Sequence, residues 1–541
     1  MLKPSSQRLA ILTVSVVLFA HAVEPPQPPP PPTKYIPTDN NFSQDYDLVT
    51  PGSTLQLNVL AAFGYVLLSA EVEQASPLGW QGGPQFTANV SQAPEYGLHI
   101  GKFKGKYVPI GTGDQPSEPL DWRGEAKALV MSADVREVTW AGTGFFAVKR
   151  DDTAADFPAP QWQDAAALPD RSADQANDKR YPVGYKRGST PTLAAKFLAK
   201  ANIPTGMVVK AKATGPDGMT IPETVCTVAG ADVTLPATAM GATLPDKIKY
   251  YDFYELQWEL KFWSADWLGV GTSKNRVFCT LDTPARSPGS FLYTTLFHAC
   301  APCDGMSDMA LIFPAILARF SSGVAPANTR RVVDDHPDLT SVENGIGLHY
   351  YRGWRTRVTR EKDLIASGNG QCGSWATFLL SALRVHGALL PINYITISCP
   401  NDRGMLIRNY DFVGPGVSVP LAPVDFLWRN LQVSPGGLVS DDGFNWIELT
   451  LRDLDGAAGQ NSIDPLSYFG NHQFLEINGN WWDPSYGVRY PGPTAAAFST
   501  QAISGYTRPR RVPGTTFIWW DARKLASTEP PVALQVTRQV R

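Results

Sequence analysis

The segment from His472 to Asp483 limits the local fold of this chain more than any other part of its sequence. Residues 472–477 (HQFLEI) alternate like a β-strand, Asn478-Gly479 is the strongest two-residue hairpin signal, and residues 480–483 (NWWD) form a return strand. His472 and Asp483 then become diagonal neighbours on one sheet face, about 7–8 Å apart at the backbone. A turn one residue longer would put them on opposite faces. The two-residue turn predicts four facing pairs: Ile477 with Asn480, Glu476 with Trp481, Leu475 with Trp482, and Phe474 with Asp483.

A second segment, residues 368–375 (GNGQCGSW), precedes a helical pattern with an apolar stripe and places Cys372 at a helix N-terminus. There the backbone N–H groups and the positive end of the helix dipole favour a thiolate, which lowers the pKa of a thiol and makes it nucleophilic. A buried structural cysteine or a disulfide partner is the alternative for this residue.

A nucleophilic cysteine needs a general base, and histidine has a suitable pKa. His386 lies 14 residues farther along the same predicted helix, about 21 Å away. His472 is therefore the candidate base, and Asp483 is the candidate group that orients its ring. Glu476 shares their sheet face but lies about 13 Å along the strand from His472, too far to replace Asp483. A histidine that only packs within the hairpin is the alternative.

These residues together resemble the core of the transglutaminase-like superfamily: Gly-Gln-Cys opening a buried helix, then the strand at 471–476 (NHQFLE), then residues 478–487 (NGNWWDPSYG). The resemblance is loose over about 290–490 and specific at these motifs. It implies an α+β, papain-like core with Cys372, His472 and Asp483 as a catalytic triad. It also implies attack on an amide carbonyl, release of an amine, and a thioester resolved by water or a second amine. The oxyanion candidates are the Cys372 N–H and the Trp354 side chain.

Residues 370–376 (GQCGSWA) also resemble the nucleophile segment of the papain family. Three features differ: the second cysteine before the tryptophan is missing, Ala366 stands where an upstream glutamine would lie, and Asp-Pro-Ser-Tyr-Gly replaces Asn-Ser-Trp. A papain-like cysteine protease stays as an alternative.

The N-terminus predicts the compartment. Lys3 and Arg8 precede an apolar run at 9–20, and residues 20–22 (AHA) provide a small-x-small cleavage site. The run is too short for the roughly 20 residues of a membrane span. We therefore expect a signal peptide at 1–22, a proline-rich spacer at 23–50, and a secreted, periplasmic or cell-envelope protein without an integral membrane segment after cleavage.

The remaining pattern predicts a multidomain chain, in which β-rich and immunoglobulin-like β-sandwich modules precede the α+β transglutaminase-like (papain-like) domain. Residues 253–262 alternate as a half-buried strand. The expected boundaries are a β-rich domain at 51–155, a linker at 156–190, a sandwich at 191–285, the transglutaminase-like domain at 286–525, and a tail at 526–541.

The six cysteines leave the pairing open. Cys226 and Cys279 have a spacing compatible with an inter-sheet disulfide, and Cys300 and Cys303 with a local one. These pairs would leave Cys399 and a reduced Cys372. His298, Cys300 and Cys303 crowd together without a second pair, unlike a structural zinc site.

Charge and loop composition limit the ligands. The formal net charge is -3, from 47 Lys plus Arg and 50 Asp plus Glu, so no positive field favours nucleic acid. No cofactor is implied, although residues 453–464 carry oxygen ligands that keep calcium open, with a glycine misplaced for an EF-hand.

Two hypotheses follow. The first is a secreted cysteine enzyme acting on protein or peptide amides. The second is a non-catalytic envelope or adhesion protein whose transglutaminase-like core is structural.

Overall fold

The structure is a computed structural model, and it divides the chain into two compact units, residues 1–130 and 131–541. Strands predominate in its described parts, so the β-rich character expected from the sequence is confirmed. It describes residues 33–36, 41–49, 54–61, 65–74, 81–82, 85–89, 97–109, 118–165, 179–262, 267–285, 288–320, 348–350, 359–387, 391–399, 404–407, 427–430, 450–452, 468–490, 492–511, 518–524 and 533–540.

The first unit contains two four-stranded sheets, with strand orders β1-β3-β6-β5 and β2-β8-β7-β4. In β7 the buried side chains of Phe103 and Tyr107 alternate with the exposed side chains of Lys102 and Lys106. The strands are β1 (Thr33–Ile36), β2 (Asn41–Val49), β3 (Thr54–Ala61), β4 (Tyr65–Gln74), β5 (Gln81–Gly82), β6 (Gln85–Asn89), β7 (Gly97–Pro109) and β8 (Leu120–Val130).

Strands β1 and β2 lie in the segment predicted to be a proline-rich spacer. β1 begins directly after the last of the five prolines and pairs in parallel with β3, while β2 pairs in parallel with β8. Thr33–Ile36 contains two β-branched residues and one aromatic residue, and its backbone has the N–H groups that proline lacks, so this part of the spacer joins a sheet.

Two six-stranded sheets pack face to face in the second unit. Their orders are β10-β13-β20-β19-β15-β16 and β12-β11-β9-β14-β18-β17. The Trp140 and Tyr254 rings, 5.4 Å apart, and the Phe197 and Trp258 rings, 5.6 Å apart, join the sheets. The strands are β9 (Ala133–Gly142), β10 (Phe145–Phe146), β11 (Trp162–Gln163), β12 (Lys179–Arg180), β13 (Val183–Lys186), β14 (Pro191–Ala199), β15 (Val209–Thr214), β16 (Thr220–Val225), β17 (Thr227–Ala229), β18 (Asp232–Ala239), β19 (Lys249–Phe262) and β20 (Leu268–Thr280).

This sandwich begins earlier than the sequence indicated. β9 and β13 lie in the segments predicted to be a separate domain and a linker, yet β9 pairs with β14 and β13 pairs with β20. A linker prediction from polar composition misses such pairing because the partner strands are distant in sequence. The alternation predicted within β19 is confirmed: Leu256, Trp258 and Leu260 are buried.

In the described residues, five helices and further sheets follow the sandwich. The largest sheet has the order β30-β29-β28-β23-β33, and β33, in the segment predicted to be a tail, is its edge strand beside β23. The elements are α1 (Tyr293–Cys300), α2 (Met309–Arg319), β21 (His349–Tyr350), α3 (Glu361–Ser367), β22 (Asn369–Gly370), α4 (Cys372–Arg384), β23 (Ile392–Ser398), β24 (Gly404–Ile407), β25 (Leu427–Asn430), β26 (Thr450–Arg452), β27 (Tyr468–Phe469), β28 (Asn471–Ile477), β29 (Asn480–Asp483), β30 (Val488–Tyr490), α5 (Ala495–Ala502), β31 (Ile503–Arg511), β32 (Ile518–Lys524) and β33 (Gln535–Val540).

The hairpin of β28 and β29 has three of the four predicted facing pairs. Leu475 faces Trp482, Glu476 faces Trp481, and Ile477 faces Asn480. Asn478 and Gly479 have φ of 49° and 71°, both in the left-handed region that a type I′ turn requires.

Helix α1 joins the sandwich to the helical part of the same unit. The Tyr293 ring lies 5.9 Å from the Phe278 ring of β20, and Asp151 accepts hydrogen bonds from the Thr294 backbone N–H and hydroxyl. Arg276 donates to the Tyr293 hydroxyl and to Asp252. One hydrophobic core therefore continues from the sandwich into α1 and α4.

Neither of the two possible disulfides is present in the structure. Cys226, Cys279, Cys300 and Cys303 are buried, unpaired thiols. Three of their sulfurs point to backbone carbonyls instead: Cys226 to Thr224, Cys279 to Lys247, and Cys303 to Ile312.

None of the helices in the described residues combines the length and the apolar character needed to cross a bilayer.

Candidate active site

Cys372 is the first residue of α4, as the sequence predicted. Gln371 caps the helix in an extended conformation, and its carbonyl accepts the N–H groups of Ser374 and Trp375 at 3.0 and 3.2 Å. The N–H groups of Cys372 and Gly373 precede these first helical hydrogen bonds, so helix geometry gives them no partner within α4. Two donors therefore stand beside the thiol.

His472 and Asp483 form the pair that the hairpin register predicted. His472 Nε2 lies 2.6 Å from Asp483 Oδ2, and both side chains are fully buried. A contact this short between an imidazole and a carboxylate orients the ring and stabilises its protonated form.

Two further residues hold the Asp483 carboxylate, and sequence reasoning missed both. The Tyr490 hydroxyl donates to Oδ2 at 2.9 Å, and the Ser485 backbone N–H donates to Oδ1 at 3.0 Å. The Ser485 bond is a local Asx-type contact that the Asp-Pro-Ser sequence could have indicated. The Tyr490 bond depends on the pairing of β29 with β30, where Tyr490 faces Trp481.

The environment of His472 favours the imidazolium form. Burial lowers its pKa, but the charge and hydrogen bond of Asp483, together with the neighbouring Cys372 thiol, outweigh burial and raise the pKa above its ordinary value. Nδ1 is buried and has no well-formed hydrogen bond to any described residue. Because Nε2 is engaged by Asp483, Nδ1 is the nitrogen left to exchange a proton with Cys372.

Four aromatic rings surround the imidazole of His472. The ring centroids lie between 4.9 and 6.3 Å from it, and they belong to Phe469, Phe474, Tyr486 and Phe498. Apolar walls exclude water and strengthen the electrostatic interactions of His472 with its partners.

Gly373 lets the start of α4 approach Gln473 closely. A Cβ atom there would lie 2.2 Å from Gln473 Oε1 and 3.2 Å from the Tyr394 hydroxyl oxygen. Tyr394 donates its hydroxyl to Gln473 Oε1 at 2.9 Å, which fixes that amide against the helix start. Gly373 and Gln473, which follow Cys372 and His472 in sequence, therefore lie against each other.

Glu361 links three helices, among them α4, which begins at Cys372. Its carboxylate accepts hydroxyl hydrogen bonds from Thr295 of α1 at 2.6 Å and from Ser381 of α4. Gly289 leaves room for it, since a Cβ there would lie 1.7 Å from Glu361 Oε2. Burial raises the pKa of Glu361 to about 8, although both hydroxyls oppose the shift. No local sequence signal indicated this contact.

His386 and Glu476, which the sequence analysis set aside, make structural contacts. His386 Nε2 lies 3.1 Å from the Ala299 carbonyl, and burial lowers its pKa to about 4, so it stays neutral. Glu476 Oε2 accepts from Arg538 Nε of β33 at 2.9 Å, which anchors the C-terminal strand.

Three sequence predictions lie outside the described residues: the signal peptide at 1–22, the oxyanion role of Trp354, and the calcium ligands at 453–464. Within the described segments, no group of three or more His, Cys, Asp or Glu side chains is placed to hold a metal ion. No protein-family model matches the sequence, and no curated protein matches it.

Proposed function

We propose that this protein is a secreted transglutaminase-like cysteine enzyme that attacks amide carbonyls of proteins or peptides. One observation carries the proposal: the buried contact between His472 and Asp483 leaves Nδ1 of the same ring for the Cys372 thiol. On this proposal, the sandwich is an immunoglobulin-like module and the part after it is an α+β transglutaminase-like domain.

The chemistry follows from the positions of the groups. His472 Nδ1 takes the thiol proton, and the Cys372 sulfur attacks the amide carbon. The N–H groups of Cys372 and Gly373 stabilise the oxyanion. As the C–N bond breaks, His472 returns the proton to the leaving amine, which leaves a thioester on Cys372. Water or a second amine, deprotonated by His472, then attacks the thioester and restores the thiol.

Alkylation of the thiols tests the nucleophile. The protein is treated with iodoacetamide at neutral pH, and the rate at each cysteine is followed by peptide mass spectrometry. We expect Cys372 to react fastest, and Cys372→Ala to remove the fast phase, while the control Cys399→Ala keeps it. A Cys372 that reacts no faster than Cys399 would contradict the proposal.

Product analysis identifies the acceptor. An unstructured protein such as casein is incubated with the enzyme, with and without a primary amine, and analysed by mass spectrometry. Deamidation indicates water as acceptor, amine incorporation or crosslinking indicates acyl transfer, and chain cleavage indicates the papain-like alternative. Each product must disappear with Cys372→Ala.

The burial of the site favours a second candidate, a non-catalytic envelope or adhesion protein with a structural transglutaminase-like core. Cys372 is 4% exposed and His472 is 0% exposed, which leaves little room for a substrate. A slow Cys372 together with unchanged casein would support this candidate over the enzyme.

A further inference from the structure

One oxygen of Asp483 accepts two hydrogen bonds. Oδ2 receives the Nε2–H of His472 at 2.6 Å and the Tyr490 hydroxyl at 2.9 Å. The carboxylate is 1% exposed and Tyr490 is 0% exposed. Protein donors therefore take the place that water would have around an exposed carboxylate.

We propose that Tyr490 is a positioning residue of this site: its hydroxyl holds the Asp483 carboxylate and draws away part of the negative charge that faces His472. The inference rests on the proposed function, because it concerns how His472 holds and releases a proton.

The position of Tyr490 is fixed independently of Asp483. Its ring packs against Phe498 at 4.9 Å and Phe474 at 5.9 Å, and its backbone lies on β30 opposite Trp481. The hydroxyl is thus presented by a rigid strand and a packed ring. It limits the movement of Oδ2, so the His472 ring keeps one orientation toward Cys372.

The sharing of Asp483 Oδ2 also affects how readily His472 releases its proton. A phenol is neutral, so its hydrogen bond stabilises the carboxylate without adding a positive charge. Because Tyr490 competes with His472 for Oδ2, the imidazolium is held less tightly than by an unshared carboxylate. His472 then releases its proton to the leaving amine more readily.

Few other groups can influence the titration of His472. Among the described residues, the titratable groups that act on its ring are Asp483 from β29 and Cys372 from α4. The rings packed around it are neutral, and Tyr490 reaches it through Asp483. Removal of the Tyr490 hydroxyl is therefore a direct test.

The first experiment measures the His472 imidazole by ¹⁵N NMR in the Cys372→Ser background, as pH is raised. We expect Tyr490→Phe to shift the deprotonation midpoint upward by roughly 0.5–1 pH unit, because Asp483 no longer shares its charge. The control Tyr254→Phe, a buried tyrosine of the sandwich, should leave the midpoint unchanged. An unchanged midpoint in Tyr490→Phe would overturn the inference.

The second experiment records the iodoacetamide reaction of Cys372 against pH in the otherwise wild-type chain. In the profile of rate against pH, the change at alkaline pH reports the deprotonation of His472. Tyr490→Phe should move this change to higher pH by the same amount and lower the maximal rate several-fold. A lower maximal rate without a shift of the alkaline change would mean that Tyr490 only fills space.

If Tyr490→Phe does not fold, a fluorinated tyrosine at position 490 provides a second test. 3-Fluorotyrosine keeps the shape and donates more strongly, so both midpoints should move downward; no movement would overturn the inference. The NMR measurement does not need a reactive thiol. A slow Cys372 with a shifted NMR midpoint would therefore contradict the proposed function and leave the role of Tyr490 standing.

Discussion

At the scale of single residues, Asp483 is held more firmly than any other group of the candidate site. Three donors from three positions of one antiparallel hairpin region meet its two oxygens: His472, Tyr490 and Ser485. An ionised carboxylate in a dry site needs this number of partners. Its negative charge is what raises the pKa of His472 against the effect of burial.

Asp483→Asn keeps the shape of the side chain and removes its charge. The pKa of His472 should fall, because burial then acts with less opposition. The alkaline change in the rate of Cys372 alkylation should therefore move to lower pH, which is the opposite of the shift expected for Tyr490→Phe. We expect the rate at neutral pH to drop by roughly 10²-fold. Asp246→Asn, at an 85% exposed carboxylate, is the control, and an equal loss there would contradict the assignment.

Gly373→Ala tests the packing beside the nucleophile. The added Cβ collides with Gln473 Oε1, so the Gln473 amide must move and its hydrogen bond from Tyr394 is weakened. We expect a loss of about 1 kcal/mol in unfolding free energy and slower alkylation of Cys372. The double variant Gly373→Ala with Gln473→Ala should recover most of the rate. Gly269→Ala, with no atom within 4 Å of the new Cβ, is the control.

At the scale of elements, the position of α4 depends on its neighbours. Its buried face packs against β28, and Glu361 of α3 ties it to α1 through Ser381 and Thr295. The helix dipole and the nucleophile therefore have a fixed direction. Within the described part of the chain, two hydroxyl donors and no cation contact the Glu361 carboxyl group, so this contact is sensitive to pH.

The contact of Glu361 with Thr295 and Ser381 should stabilise the fold less as pH rises. Because the folded-state pKa is raised from 4.5 to about 8, the folded protein binds more protons than the unfolded chain between these values. The unfolding free energy contributed by this group is therefore highest below about pH 4.5 and falls as pH rises to about 8. Glu361→Gln should flatten the fall of Tm between pH 5 and 8.5. Exposed Glu118→Gln should not, and an equal flattening would contradict the assignment.

At the scale of the second unit, Arg276 connects the sandwich to α1. Its guanidinium is 1% exposed, contacts Asp252 and the Tyr293 hydroxyl, and lies over the Tyr293 and Tyr250 rings at 5.5 and 5.8 Å. The contacts bring together β19, β20 and α1. The sandwich and the helical part should consequently unfold in one transition.

Arg276→Met removes this connection and keeps much of the volume. We expect a loss of about 2 kcal/mol, below the roughly 3–5 kcal/mol typical of a broken buried pair, because Asp252 is 40% exposed. Calorimetry should show one transition at lower Tm. Lys196→Met, at an ion pair whose lysine side chain is 63% exposed, should cost less than about 1 kcal/mol. Two transitions in the wild type would contradict the single cooperative unit.

The sequence by itself determined the features that depend on short-range geometry. Asn478-Gly479 and the two-residue alternation specify the register that joins His472 to Asp483, and the apolar stripe specifies a helix beginning at Cys372. These follow because turn conformation and side-chain direction are properties of neighbouring residues.

Only the tertiary structure decided the contacts between distant segments. Glu361 meets Thr295 across 66 residues, β9 joins β14 beyond the predicted linker, and the four expected disulfide cysteines remain unpaired. The bond from Tyr490 to Asp483 belongs here too, since it requires a third strand to pair with the hairpin. Such contacts arise from the packing of whole elements, and no local pattern of residue types encodes which partners packing will bring together.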